Sequence, residues 1–162
     1  MATSQHDAAA SLNHLYEDYW EFILHESPTY ATYLGDHRYD DRLDDVSAEA
    51  YHRRIDRLKK YLDQLKSLRR PVGQADRLNY DLFQRELALQ IEGANLDPYL
   101  TPISQQTGPH IDLPQLITFH PYKTRQDFDN YISRLRQFPR VFDQTIANLK
   151  TGMEKRSSSP ES

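Results

Sequence analysis

Residues 51–65, YHRRIDRLKKYLDQL, set Tyr51, Ile55, Leu58, Leu62 and Leu65 at an alternating four-three spacing, with polar and charged residues between them. That spacing keeps one apolar stripe on a single side of a helix and suits lengthwise packing against a second helix. Ser47 supplies an N-cap, and Pro71 with Gly73 supplies the stop. Working outward, the next helix is expected from Gln74 or Asp76 to Gly93 or Asn95, with Tyr80, Phe83, Leu87, Ile91 and Ala94 on one face. Leu78, Leu82 and Leu89 widen that stripe beyond what one neighbour covers, which predicts a central helix.

Towards the N-terminus, Leu12, Leu15, Tyr16, Tyr19, Phe22 and Ile23 recur at spacings of three and four, so a helix is expected from Ser4 or Ser11 to Glu26. Ser27 as a cap, Pro28 at a first helical position and Gly35 as a stop predict a short helix over residues 29–34. An acidic loop, residues 36–46, follows. Towards the C-terminus, Thr124 and Asp127 form a capping arrangement ahead of Phe128, Tyr131, Ile132 and Leu135. Pro139 is expected to break the helix there, before a last stripe of Phe142, Ile146, Leu149 and Met153. Strand signals are weak throughout. The fold expected is all-α, an antiparallel bundle of about five helices in a single domain over residues 1–155, with a polar, disordered tail over residues 156–162.

One stretch departs from this pattern. Residues 97–123 form a long insert; within it, residues 99–121 read YLTPISQQTGPHIDLPQLITFHP and carry Pro102, Pro109, Pro114 and Pro121. It is expected to be non-helical, and long loops in compact domains tend to be functional. In it Ser104, Gln105, Gln106, Thr107, Gly108, Pro109 and His110 offer amides, hydroxyls and an imidazole beside a Gly-Pro turn. These groups suit an extended peptide or another polar ligand. They suit equally the internal pairing that a buried loop needs for its own backbone.

A chain of 162 residues suits one domain, burying roughly 70% of its unfolded surface. Its apolar fraction of 38% includes eleven tyrosines, so the dry core is smaller than the figure suggests. Two accounts stay open: a fragment whose apolar faces meet further sequence, or a small polar helical module with frayed ends. A net charge of -4 argues against nucleic acid. The charge is uneven: ten acids in residues 1–46, and eight bases in residues 48–70 including Arg53, Arg54 and Arg57. Such runs are usually solvated helix faces. No segment reaches the roughly 20 apolar residues of a membrane span. The start, MATSQHDAAASL, has no signal-peptide pattern, so cytoplasmic residence is the default expectation.

Cysteine is absent, which excludes disulfides and thiolate metal sites. Seven histidines are present, His6, His14, His25, His37, His52, His110 and His120, but none makes the HExxH pair that sets two imidazoles on one helix face. His110 and His120 share the insert and could converge. The acidic loop with Asp36, Asp40, Asp41, Asp44 and Asp45 lacks the ligand order and distal Glu of a calcium loop, so a solvated, helix-capping loop is expected. Neither a phosphate-binding glycine loop nor a G-x-S-x-G elbow is present. No cofactor bound by this chain alone is expected.

Three separated stretches carry a family resemblance: residues 15–47, LYEDYWEFILHESPTYATYLGDHRYDDRLDDVS; residues 76–83, DRLNYDLF; and residues 99–153. The most specific elements are Pro28, Ala31, Thr32 and Gly35; Asp36, Asp40, Asp41 and Leu43; the TPISQQTGPH run of residues 101–110; and Asp127, Tyr131, Arg134, Leu135 and Pro139. Over about residues 11–153 the chain resembles the N-terminal part of the bacterial family known as domain of unknown function 885. The resemblance implies longer, largely helical relatives of zinc-peptidase type, whose HExxH helix and further glutamate ligand lie in a later part. This sequence contains neither, so no zinc ligand or catalytic residue carries over. Zinc and a peptide substrate are implied for full-length relatives only. The chain is then expected to be a non-catalytic N-terminal piece, partnered by its missing C-terminal part or by another protein. The segment Gln105 to His110 would lie near the substrate cleft. A stand-alone interaction module using the insert or the basic helix, and a nonfunctional truncated remnant, are the alternatives.

Overall fold

Among the described residues the chain forms six α-helices: α1 (Ala2–Glu26), α2 (Pro28–Tyr33), α3 (Ala48–Ser67), α4 (Gln74–Gly93), α5 (Pro109–Phe119) and α6 (Arg125–Ser158). The structure is a computed structural model describing residues 2–71 and 73–158, with side chains described for residues 10–71 and 73–156. Among the described residues there is no strand, so the fold is all-α, as expected. The expected disordered tail starts inside α6, which runs through Ser158; residues 159–162 lie outside the described residues.

The chain forms two compact units. Unit 1 takes its residues from Met1–Ile23 and His52–Leu96, unit 2 from Leu24–Tyr51 and Asp97–Ser162. In unit 1 the stripes read from sequence meet. Leu12 and Leu15 of α1, Leu58, Tyr61 and Leu65 of α3, and Tyr80 and Leu87 of α4 form one buried cluster. The two buried tyrosines of the cluster keep partners for their polar ends: Tyr61 donates to the Asp18 carbonyl (3.1 Å) and Tyr80 to the Leu65 carbonyl (3.1 Å). The expectation of a central α4 fails, because Leu78, Leu82 and Leu89 are exposed. One face of α4 is covered and the widened part of its stripe is not.

Unit 2 is built from α2, the loop after it, α5 and α6. Gly35 ends α2 with φ at +88°, a left-handed conformation that glycine adopts without strain, and its N–H closes the turn on Thr32. Ser47 caps α3 by accepting from the Ala50 N–H (3.2 Å). The insert is not free of helix: Pro109 occupies the first turn of α5, where its missing N–H costs nothing, and α5 runs on through Pro114. Nor does Pro139 break the chain, for α6 is continuous through it. Pro139 lies on the exposed side, and the side chains at 134, 137, 140 and 144 tie the helix down on both sides of it. Local propensity is thereby overridden.

Candidate cleft of unit 2

The loop of residues 41–46 has no ladder of its own, yet its backbone polar groups are satisfied by one row of polar side chains on α6. Ser133 and Gln137 donate to the Asp41 carbonyl, Arg140 to that of Leu43, and Asn148 to that of Val46. Gln137 accepts from the Leu43 N–H and Gln144 from the Val46 N–H. A buried backbone segment must pair its groups somewhere, and here a helix face does the pairing. The solvated loop expected from sequence is therefore docked along its length, although Asp36 does cap the short turn His37–Tyr39.

Arg134 anchors the start of this row and is fully buried. Its Nε donates to the Arg42 carbonyl (2.8 Å), and Nη2 to the carbonyls of Pro28 (3.1 Å) and Tyr39 (3.2 Å) and to the Thr32 hydroxyl (2.6 Å). The Thr32 hydroxyl in turn donates to Asp40 (2.6 Å), whose buried carboxylate lies 4.0 Å from Nη2. Burial lowers the guanidinium pKa from its ordinary value, and the charge of Asp40 opposes that fall. On the remaining side Arg134 Nη1 faces His120 Nδ1 (3.1 Å) while His120 Nε2 meets the Asp127 carbonyl (2.8 Å). Arginine has only donors, so Nδ1 accepts and Nε2–H donates. One cation thus ties α2, the acidic loop, His120 and α6 together.

The cleft sits beside this tie. Its volume is about 460 Å3, within the range of small-ligand sites. Leu43, Leu113, Leu116, Phe119 and Val141 give it apolar walls, and Tyr30 and Tyr33 of α2 stand at its exposed edge. Among its described lining residues the only charges are the carboxylates of Asp44 and Asp112. Asp44 is held by the N–H (3.0 Å) and hydroxyl (2.8 Å) of Thr29. Asp112 accepts from the Gly108 N–H (3.2 Å). The cleft is thus apolar along its walls, with neutral polar groups at Thr29, Thr107, Gln115 and Thr145 beside its two carboxylates.

Of the residues singled out in the insert, Gly108 and Pro109 line the cleft, together with Thr107. Ser104 closes a tight turn through Thr107 (2.8 Å between hydroxyls) and accepts from the N–H groups of Gln106 and Thr107. Gln105, Gln106 and His110 are exposed and outside the lining. Gly108 has φ at +127°, and a Cβ there would lie 3.1 Å from the Pro102 carbonyl and 3.2 Å from His110 Nδ1. The glycine permits a close backbone approach at the cleft mouth. Asp44 and the α6 residues Val141 and Thr145 also line it. The sequence signal for α6 was a row of polar residues between apolar ones.

His110 and His120 do not converge: the first is exposed, and both ring nitrogens of the second are engaged inside unit 2. Among the described residues no three of His, Asp and Glu are placed to hold one metal ion. The described side chains thus offer no ligand set for the zinc that the resemblance implies for full-length relatives. No described helix is long and apolar enough to cross a membrane.

Fold and cleft together define an all-helical protein with a small, acid-lined apolar cleft. The chain matches the family described as bacterial protein of unknown function (DUF885) over residues 28–162, and it belongs to that family. No curated protein matches it.

Proposed function

We propose that unit 2 holds an extended peptide segment in which an apolar side chain stands next to a positive group, and that it does so as the non-catalytic part of a zinc-peptidase-like protein. The observation that carries the binding reading is the cleft itself, with apolar walls and no charge in its described lining but Asp44 and Asp112. An apolar side chain fits against Leu113, Leu116 and Val141, and a lysine, arginine or terminal amine fits opposite Asp112. The Ser104 to His110 segment supports the reading through Gly108, which brings backbone to the cleft mouth, while His110 and the amides of Gln105 and Gln106 stand outside the lining. The peptidase part of the proposal rests on the family resemblance. The zinc ligands and the catalytic base would lie outside this chain.

Calorimetric titration of the full chain with two short peptides tests this. A Lys-Leu peptide is expected to bind, more weakly as salt rises, and a Glu-Leu peptide of the same length is not. Asp112→Asn should weaken the first by about threefold to tenfold, the scale of one partly exposed charge pair. Equal binding of both peptides, or of neither, rejects the cleft reading. Peptide cleavage by the chain alone with added zinc rejects the non-catalytic one.

A further inference from the structure

The face of α6 that reads as core from the sequence is on the outside. Phe128, Ile132, Leu135, Phe142, Ile146 and Met153 are between 40% and 71% exposed. Pro139 and the half-buried Leu149 complete an unbroken four-three alternation from residue 128 to residue 153. A second row on the same helix, Tyr131, Arg134, Phe138, Val141, Thr145 and Asn148, is the one turned into unit 2. A stripe of 3.5-residue period, about 38 Å long at 1.5 Å per residue, is the pattern of a helix paired along its length with another helix.

We infer that the occupant is α6 of a second copy of this chain, paired antiparallel about a two-fold axis between residues 139 and 142. The inference goes beyond the cleft reading and stands without it. In that register every stripe residue meets another: Phe128 meets Met153, Ile132 meets Leu149, Leu135 meets Ile146, and Pro139 meets Phe142. The exposed residues flanking the stripe on the side away from unit 2 are Asp129, Arg136, Asp143 and Lys150. Their signs alternate, and among the described residues Asp129 makes a loose pair with Arg125 at 3.9 Å. The same two-fold that aligns the apolar residues sets Asp129 near Lys150 and Arg136 near Asp143, each pair occurring twice. An isologous interface requires this self-complementarity. A parallel pairing would set these charges against the row turned into unit 2, where Tyr131, Phe138, Thr145 and Gly152 offer no counter-charge.

Sedimentation equilibrium of the full chain tests it. A dimer is expected at about 100 μM, a concentration well above a micromolar Kd. Ile132→Asp and Ile146→Asp alter exposed positions, so helix content by circular dichroism should be kept while the dimer is lost. Arg136→Glu alone sets like charges against Asp143 twice and should raise Kd about tenfold; Asp143→Arg alone should do the same. The double variant Arg136→Glu/Asp143→Arg restores the pairing with its signs exchanged and should return Kd to the starting value. A monomer at every concentration, a dimer indifferent to Ile132→Asp, or a double variant no tighter than the singles overturns the inference. In those cases the stripe serves a different helix or a different protein.

Discussion

Without the Arg134 guanidinium, the carbonyls of Pro28, Tyr39 and Arg42 would lose a common donor inside unit 2, and the buried Asp40 carboxylate, which also meets His37 Nδ1 (2.9 Å), would lose the arginine beside it. An uncompensated buried group costs more than the pair contributes. Arg134→Met is therefore expected to destabilise by about 3–5 kcal/mol, read from the urea midpoint. Arg134→Lys should rescue only part of this, because an ammonium is a compact point charge and cannot reach the five acceptors that the guanidinium fork serves. If Arg134→Met changes stability no more than an ordinary surface substitution, the network is not what holds the loop. At this scale the sequence was partly legible. Arg134, Asp40 and Thr32 stand among the most specific residues of the family resemblance, but spacing alone assigns an arginine among apolar residues no role. Three of its acceptors are backbone carbonyls about a hundred positions away, and no side-chain pattern announces them. The cleft was legible through Gly108 and Pro109, where backbone conformation constrains residue type. It was illegible at Asp44 and Val141, which enter it only through tertiary packing.

Element by element, the helices with long apolar stripes were readable, while α5 and the orientation of α4 and α6 were not. The caps at Ser47 and Gly35 stand where their chemistry placed them. The stripes of α1 and α3 are buried as their periodicity implies. The insert and Pro139 were misread because proline reports a local preference, while α5 and α6 are held by packing and by side-chain bonds to the loop. The exposed stripe of α6 is the more apolar of its two rows, so periodicity points to it and not to the row that is buried. The row facing unit 2 carries Arg134, Thr145, Asn148 and Gly152, chosen by what they touch. Gly152 shows this directly: a Cβ there would lie 2.6 Å from the Leu100 carbonyl oxygen, whereas one at Gly93 would meet nothing within 4 Å. Alanine favours a helix over glycine by about 1 kcal/mol. Gly93→Ala should therefore stabilise by about 0.4–1 kcal/mol. Gly152→Ala must displace the turn Pro98–Leu100 and should destabilise by about 1–3 kcal/mol. Thermal melts of the two variants that shift in the same direction would contradict this account of close packing.

Across the molecule, both units hold tyrosines whose phenol pKa is raised, and this sets how stability responds to alkali. Burial raises the pKa of Tyr16 and Tyr19 in unit 1. In unit 2 burial, with a hydrogen bond to Tyr131, pushes Tyr122 up to about 12 from an ordinary 10.0. An unfolded chain releases these protons from pH 10 upward while the native chain retains them, so over that range the unfolded state binds fewer protons and stability falls with pH. The contribution is complete below pH 10 and is lost as pH rises through the native values, near 12 for Tyr122. The urea midpoint should therefore hold level up to pH 10 and decline above it. The Lys155–Asp97 pair, whose ammonium pKa is also raised, adds to the decline in unit 2. Tyr122→Phe separates the two effects, since phenylalanine has no proton to lose: its midpoint should fall less steeply above pH 10 than that of the parent chain. Parallel slopes would mean that Tyr122 ionises as freely in the native protein as in the unfolded one, and that the rings of Tyr122, Tyr131 and His120 are not packed together as the structure has them.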